Sequence, residues 1–202
     1  MSSGEQQGIQ FPQLLALSLG LLLISIFLTY GHSYSWTGVG IIGWWSVPVG
    51  IALALLVFIG PVYLLSHRLL RINAFYRLTD ELHGMCHHFT WPQIIVLSVL
   101  AGLSEELLFR GALQSWLTES IGIYTAIVIS SLVFALLHAM SWYYFAFAFL
   151  MSVFLGLTFF ITQSMVLVVV VHAVYDIIAL GVIAKSPQIL GVSNKVRQGM
   201  RF

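Results

Sequence analysis

Six apolar runs, each close to the roughly 20 residues that a bilayer-spanning helix needs, fill most of this 202-residue chain. They fall at about 12–31, 41–65, 93–117, 121–140, 142–162 and 164–184. The chain is 59% hydrophobic and only 7% charged, whereas soluble domains carry about a quarter charged residues. Too few polar side chains remain to clothe a water-facing surface. The expected fold is therefore all-α: a polytopic transmembrane helical bundle of about six spans, forming a single membrane domain over 1–202 with the lipid bilayer as its solvent. A net charge of +1 offers no electrostatic footprint for nucleic acid. The lone Cys86 excludes an intramolecular disulfide. No basic cluster precedes the first run and no small-residue cleavage site follows it, so it reads as a retained span rather than a signal peptide.

The links between the last four runs are very short, which makes those helices antiparallel neighbours. The chain divides into two N-terminal spans with a connection to residue 92, a four-span core over 93–184 and a tail over 185–202. Pro48 and Pro61 should kink the second span or mark its ends. Basic residues gather at Arg68, Arg71 and Arg77 in the 66–92 connection and at Lys185, Lys195, Arg197 and Arg201 in the tail. Six spans put both groups on one side, and the positive-inside rule makes that side, with both termini, cytoplasmic. Trp36, Trp44, Trp45, Trp91, Trp116 and Trp142 stand near run ends, where an aromatic belt belongs.

Within the third run, Glu105-Glu106-Leu107-Leu108-Phe109-Arg110 places three charges in six residues. An ionised side chain at the centre of a spanning helix costs about 2.5–3.5 kcal/mol, so the trio needs a reason. Glu106 and Arg110 are i,i+4 and share a helix face, where they can pair. Glu105 is turned roughly 100° away and points elsewhere. On the sixth run His172 and Asp176 are again i,i+4, and His138 ends the fourth. With a rise of about 1.5 Å per residue, Glu105, Arg110, His172 and Asp176 lie some 13–21 Å below the outer turns. His138 falls about one turn deeper, near 28 Å, a gap that helix tilt can absorb. Three helices thus bring two carboxylates, two imidazoles and an ion pair to one layer, nearer the cytoplasmic side.

Each group also has a plainer reading. Glu106 with Arg110 can be a buried pair fixing helix orientation, His138 an interfacial histidine, and His172 with Asp176 a clamp between helices. Glu105 has no local partner to explain it. A second histidine group, His83, Cys86, His87 and His88, lies in the 66–92 connection. His83 and His87 suit a metal only if that stretch is helical, and no second cluster completes a closed site. An amphipathic interfacial segment is the better reading there. His32 and His67 lie at run ends and carry little information.

A carboxylate in apolar surroundings is a stronger base than one in water, as a general base near neutral pH must be. Beside it, an imidazole can hold a water or stabilise an oxyanion. Those are the parts of a peptide-hydrolysis site, with Glu105 taking the proton from water. Two imidazoles and a carboxylate are equally the donors of a zinc site with an open position, although the His-Glu-x-x-His signature is absent. Intramembrane Glu, His and Asp also form proton relays in carriers, but no inverted repeat supports that reading.

Glu105-Glu106-x-x-x-Arg110, Phe134-x-x-x-His138 and His172-x-x-x-Asp176, in this order over about residues 98–180, resemble the motifs of the CPBP intramembrane proteases. That family includes CAAX prenyl endopeptidases and bacteriocin-processing or immunity-associated membrane proteins. The resemblance implies an intramembrane endopeptidase acting on a peptide or membrane-protein substrate near the cytoplasmic side. By motif position it makes Glu105 the water-activating base and has His138 hold the same water. Glu106 and Arg110 then orient neighbours, while His172 with residue 176 lines the oxyanion site. The prenyl endopeptidases typically carry Asn where this chain has Asp176, and Asp donates no hydrogen bond unless protonated. Orienting His172 is the better role for Asp176. The family is described both as metal-dependent and as glutamate-type; with no third histidine in the cluster, the metal-free form is favoured and zinc is the alternative. The small chain looks like a bacterial member, which implies a multi-pass protein of the bacterial inner membrane. The competing reading within the family is a non-enzymatic bacteriocin immunity or membrane scaffold protein.

Overall fold

A computed structural model describes residues 10–31, 43–59 and 73–190. Helix α1 covers Phe11–Gly31, and α2 covers Ser46–Leu53 before widening into a π-helical stretch, Ala54–Ile59. Next come α3 (Asn73–Cys86), α4 (Trp91–Glu106), a π-helical segment (Leu107–Gln114) and α5 (Ser115–Ile121). Three further helices, α6 (Ile123–Leu137), α7 (Trp142–Thr162) and α8 (Met165–Lys185), lead to a short 3-10 turn at Pro187–Leu190. No strand occurs among the described residues. Helices fall on all six apolar runs, and α1, α7 and α8 are long and apolar enough to cross a membrane.

The short links have identifiable chemistry. Gly122, with φ of +79°, joins α5 to α6 in a conformation open mainly to glycine. Gln163, with φ of +51°, turns α7 into α8. The hydroxyls of Ser141 and Ser164 accept from the backbone N–H groups of Tyr144 and Leu167 and so cap α7 and α8. At the start of α4 a capping box pairs Thr90 with Gln93, and Pro92 occupies the first turn. Pro48 lies in the first turn of α2, marking a helix start rather than a kink. Pro61, Trp36, His32, His67, Arg68, Arg71, Lys195, Arg197 and Arg201 lie outside the described residues.

α8 is the central helix. It packs most extensively against α4 and also against α2, while α6 packs on α7 and α1 lies along α4 and the π segment. The α4–α8 contact is unusually close at Gly102, where a Cβ would come within 3.0 Å of the Ala173 backbone nitrogen. The apolar core includes Leu107, Met151, Leu155, Val168 and Val171, with a second cluster of Phe109, Phe134, Ala135 and Ala148 beside it. Large apolar side chains also point outward, among them Phe27 at 75% exposure, Leu23 at 69% and Ile161 at 76%. An outer surface of this kind belongs in lipid, where helices satisfy their own backbone polar groups. The architecture is an all-α membrane bundle.

The third run is longer and less regular than 93–117. Helical backbone continues from Trp91 to Ile121 across the π segment, a length of about 45 Å at the α-helical rise. π-helical turns are rare and gather at functional sites; here the segment contains Arg110 and directly follows Glu106. The 66–92 connection contains an amphipathic helix, α3, whose described residues pack against the C-terminal end of α8.

Candidate functional site

Glu106 and Arg110 are fully buried and form the ion pair that their spacing suggests, with Oε2 3.1 Å from Nε. Neither group stops there. The Arg110 Nη2 donates to the Ser152 carbonyl at 2.8 Å and to its hydroxyl at 3.0 Å. One turn on, Gln114 donates to the Gly156 carbonyl at 3.2 Å. Arg110 and Gln114 on one helix meet Ser152 and Gly156 on α7, so the π segment is held to α7 by two rungs spaced i,i+4. Gly156 is small for a reason: a Cβ there would come within 2.8 Å of the Gln114 side-chain oxygen.

The other Glu106 oxygen, Oε1, accepts from Nδ1–H of His172 at 2.7 Å. This bond settles the use of the ring: Nδ1 is committed to Glu106, and Nε2 faces the opposite way. Nε2 lies 3.5 Å from Asp176 Oδ2 and 3.8 Å from Glu105 Oε2. His172 is therefore anchored by Glu106, across helices, and meets its own i+4 acid only on the far nitrogen.

His138 sits just past the end of α6 in a non-helical conformation. Its Nδ1–H donates back to the Phe134 carbonyl at 2.8 Å, and its ring stacks on Phe134 with centroids 4.3 Å apart. Side chains on a helix lean toward its N-terminus, so the imidazole climbs the turn that separates its Cα from the layer of Glu105. Nε2 arrives 3.7 Å from Glu105 Oε2. Phe134 is the shared floor, with the His172 ring edge-on at 6.1 Å and the Arg110 guanidinium 5.6 Å from its centroid.

These groups open onto one cavity of about 60 Å³. Glu105, His138, His172 and Asp176 supply its polar wall, and Phe134, Tyr144, Phe147, Met151 and Tyr175 are among its apolar and aromatic lining. Glu105 Oε2 is buried, faces both Nε2 atoms and has no hydrogen-bond partner among the described residues. A buried carboxylate oxygen left this way calls for a hydrogen-bond donor, and the cavity has room for water.

All six residues singled out from the sequence, Glu105, Glu106, Arg110, His138, His172 and Asp176, meet around this cavity or directly behind it. Sequence reasoning passed over Ser152 and Gly156, although their i,i+4 spacing mirrors that of Arg110 and Gln114. It also passed over Ser25 on α1, whose hydroxyl donates to the carbonyl of Ser104, immediately before Glu105, at 2.8 Å. The second histidine group brings its rings side by side, with His83–His87 and His87–His88 centroids each 5.5 Å apart, but among the described residues it forms no set that could hold a metal ion. His83 donates to the Ile183 carbonyl at 2.6 Å, the His87 ring bonds back to carbonyls of its own helix, and Cys86 is buried.

Zinc requires three or more such ligands drawn around one point. The two Nε2 atoms and Glu105 are the right donor types, but among the described residues no group of three or more His, Cys, Asp and Glu side chains is gathered to hold a metal ion. The residues as placed do not make a metal cage.

Among known proteins, the family model for Rce1-like type II CAAX prenyl endopeptidases matches residues 87–178. No curated protein and no solved structure matches the chain. The matched segment runs from the end of α3 through most of α8 and contains every residue that lines or anchors the cavity; α1 and α2 lie outside it. Over this segment, a little under half of the chain, the sequence is similar to the Rce1-like type II CAAX prenyl endopeptidases, a match that supports membership of the CPBP intramembrane proteases.

Proposed function

We propose that this protein is an intramembrane endopeptidase that hydrolyses a peptide bond near the cytoplasmic side of the membrane. Glu105 carries the reading: its buried Oε2 points into the cavity, between two imidazole nitrogens, with no partner among the described residues. A water there donates one proton to Glu105 and is held by the Nε2 lone pair of His138, whose Nδ1–H is already committed. The water oxygen adds to the substrate carbonyl carbon as the carbonyl π electrons move onto oxygen. His172, fixed at Nδ1 by Glu106, faces that oxyanion with Nε2 and in its imidazolium form donates to it. Collapse of the tetrahedral intermediate breaks the C–N bond, and the proton on Glu105 passes to the departing amine. Asp176 sits against the same Nε2 and aligns the ring. Every step uses this chain's own residues, and none is routed through a metal.

The substrate we propose is a peptide or membrane-protein tail reaching the cavity from the cytoplasmic interface. The six-run topology, with both termini on that side of a bacterial inner membrane, puts the four-helix core over 93–184 in position to receive it. The family's named activity makes a prenylated CAAX tail the first substrate to try.

The test is cleavage of a quenched-fluorescent peptide library, with and without prenylated CAAX ends, by detergent-purified protein. Glu105→Gln and His138→Ala should each lower kcat by about 100-fold or more, as loss of a general base or its water-holding partner does. Retention of wild-type activity by both variants, or no cleavage of any peptide by the wild type, sinks the enzymatic reading and leaves the immunity or scaffold role. Activity that survives exhaustive chelation supports the metal-free route; activity lost to chelation and restored by zinc defeats it.

A further inference from the structure

The cavity is short of hydrogen-bond donors. His172 spends its Nδ1–H on Glu106, and His138 spends its own on the Phe134 carbonyl. In their neutral forms both rings therefore present lone pairs at Nε2. Glu105 and Asp176 as carboxylates accept only. An oxyanion forming here would meet one conditional donor, the His172 imidazolium, whereas acyl-transfer sites usually aim more than one donor at the developing charge.

The remaining donors on the cavity wall are phenols. Tyr144 stands on the first turn of α7, where the Ser141 cap on its backbone N–H at 3.2 Å fixes the turn that carries it. Its ring lies 6.4 Å from that of His138, and it lines the cavity together with Glu105, His172 and Asp176. Tyr175, on α8, packs its ring against Phe147 at 5.6 Å. Tyr144 instead belongs to α7, beside His138, and shares the cavity wall with His172 and Asp176 of α8. A substrate carbonyl held above Glu105 would have the imidazole on one side and this phenol on the other.

We infer that Tyr144 is a further catalytic residue, whose hydroxyl donates a hydrogen bond to the oxyanion opposite His172. This rests on the protease reading of the same cavity. The phenol keeps its proton throughout: water still loses its proton to Glu105, the carbonyl electrons still move to oxygen, and the amine still leaves with the proton from Glu105. Tyr144 supplies a neutral donor that works whichever form His172 adopts.

Tyr144→Phe retains the ring and removes only the hydroxyl. It should lower kcat by about 100-fold or more, the usual effect of losing one oxyanion donor, while KM and the thermal unfolding midpoint stay near wild type. Tyr143→Phe, one residue away and outside the cavity lining, should leave all three unchanged. The assay uses a peptide that the wild type cleaves and that Glu105→Gln does not. If Tyr144→Phe then keeps kcat within threefold of wild type, raises only KM, or loses activity together with its unfolding midpoint, the inference is overturned. An active Glu105→Gln overturns the protease reading itself, a result distinct from these.

Discussion

Two histidine groups occupy this chain, and they use the same side chains in opposite ways. At the cavity, each imidazole spends Nδ1–H on a fixed acceptor, the Glu106 carboxylate or the Phe134 carbonyl, and leaves Nε2 facing a buried carboxylate oxygen. On and just after α3, His83 and His87 spend ring nitrogens on backbone carbonyls. In the first group the polar bonds orient reactive atoms toward open space. The second group uses its polar bonds to tie a helix end to α8, an attachment that Lys185 extends by donating to the His87 carbonyl at 3.0 Å. Spacing of i,i+4 is common to both groups. Only the first also has a buried charge network behind it.

That network should be the most sensitive part of the molecule. Glu106→Leu or Arg110→Leu leaves one uncompensated charge in the interior, which typically destabilises a protein by about 3–5 kcal/mol. Thermal unfolding in detergent should show a large loss for either variant. The double variant should be less damaged than the sum of the singles, because the two changes share one interaction. Two additive single effects would mean that the pair does not act as a unit, and the contrast with the α3 group would weaken.

Gly102→Ala tests the same contrast more gently. Its new Cβ would press on Ala173, next to His172, where 3.0–3.2 Å is available. Overpacking of this kind costs about 1–3 kcal/mol. Because α4 carries Glu105 and Glu106 and α8 carries His172, spreading the helices lengthens the bond between them. A displacement of about 1 Å at a reacting centre can cost about 100-fold in rate; a few tenths of an ångström here should cost roughly tenfold in kcat. A variant with lower stability and unchanged kcat would show that the site tolerates a looser α4–α8 contact.

Much of this was legible in the sequence because intramembrane polar residues are few and helical geometry is regular. The i,i+4 spacing of Glu106 with Arg110 and of His172 with Asp176, together with depth along short-linked helices, placed six residues in one layer. Which atoms would meet was not legible. The bond from His172 to Glu106 depends on how closely α4 approaches α8, and that is set by Gly102 against Ala173, far apart in the chain. The apparent depth mismatch of His138 vanished because its side chain leans back one turn from a helix end, which Cα counting ignores. The π-helical stretch over Leu107–Gln114 has no single-residue signature; it shows only once Arg110 and Gln114 are seen bound to Ser152 and Gly156. The amphipathic reading of the 66–92 connection applies to α3, while Arg68 and Arg71 lie outside the described residues.

The smallest effects are expected at the second histidine group, where they have diagnostic value. His88→Ala should change stability by no more than about 0.5 kcal/mol, as most substitutions away from buried networks do, and should leave cleavage unchanged. Cys86 lies under Phe89 and Ile94 in a small apolar cluster. Burial pushes its thiol above the usual range, and the nearby Lys185 charge only partly opposes that. The thiolate is the reactive form, so a raised pKa makes it scarcer at any pH below that value and moves the alkylation profile to higher pH. At pH 8, iodoacetamide should therefore label Cys86 at least roughly tenfold more slowly in the folded protein than after unfolding in SDS. Equal rates would mean an exposed, ionised thiol beside three imidazoles, and the α3 group would then have to be treated as a second reactive centre rather than as the attachment of a helix.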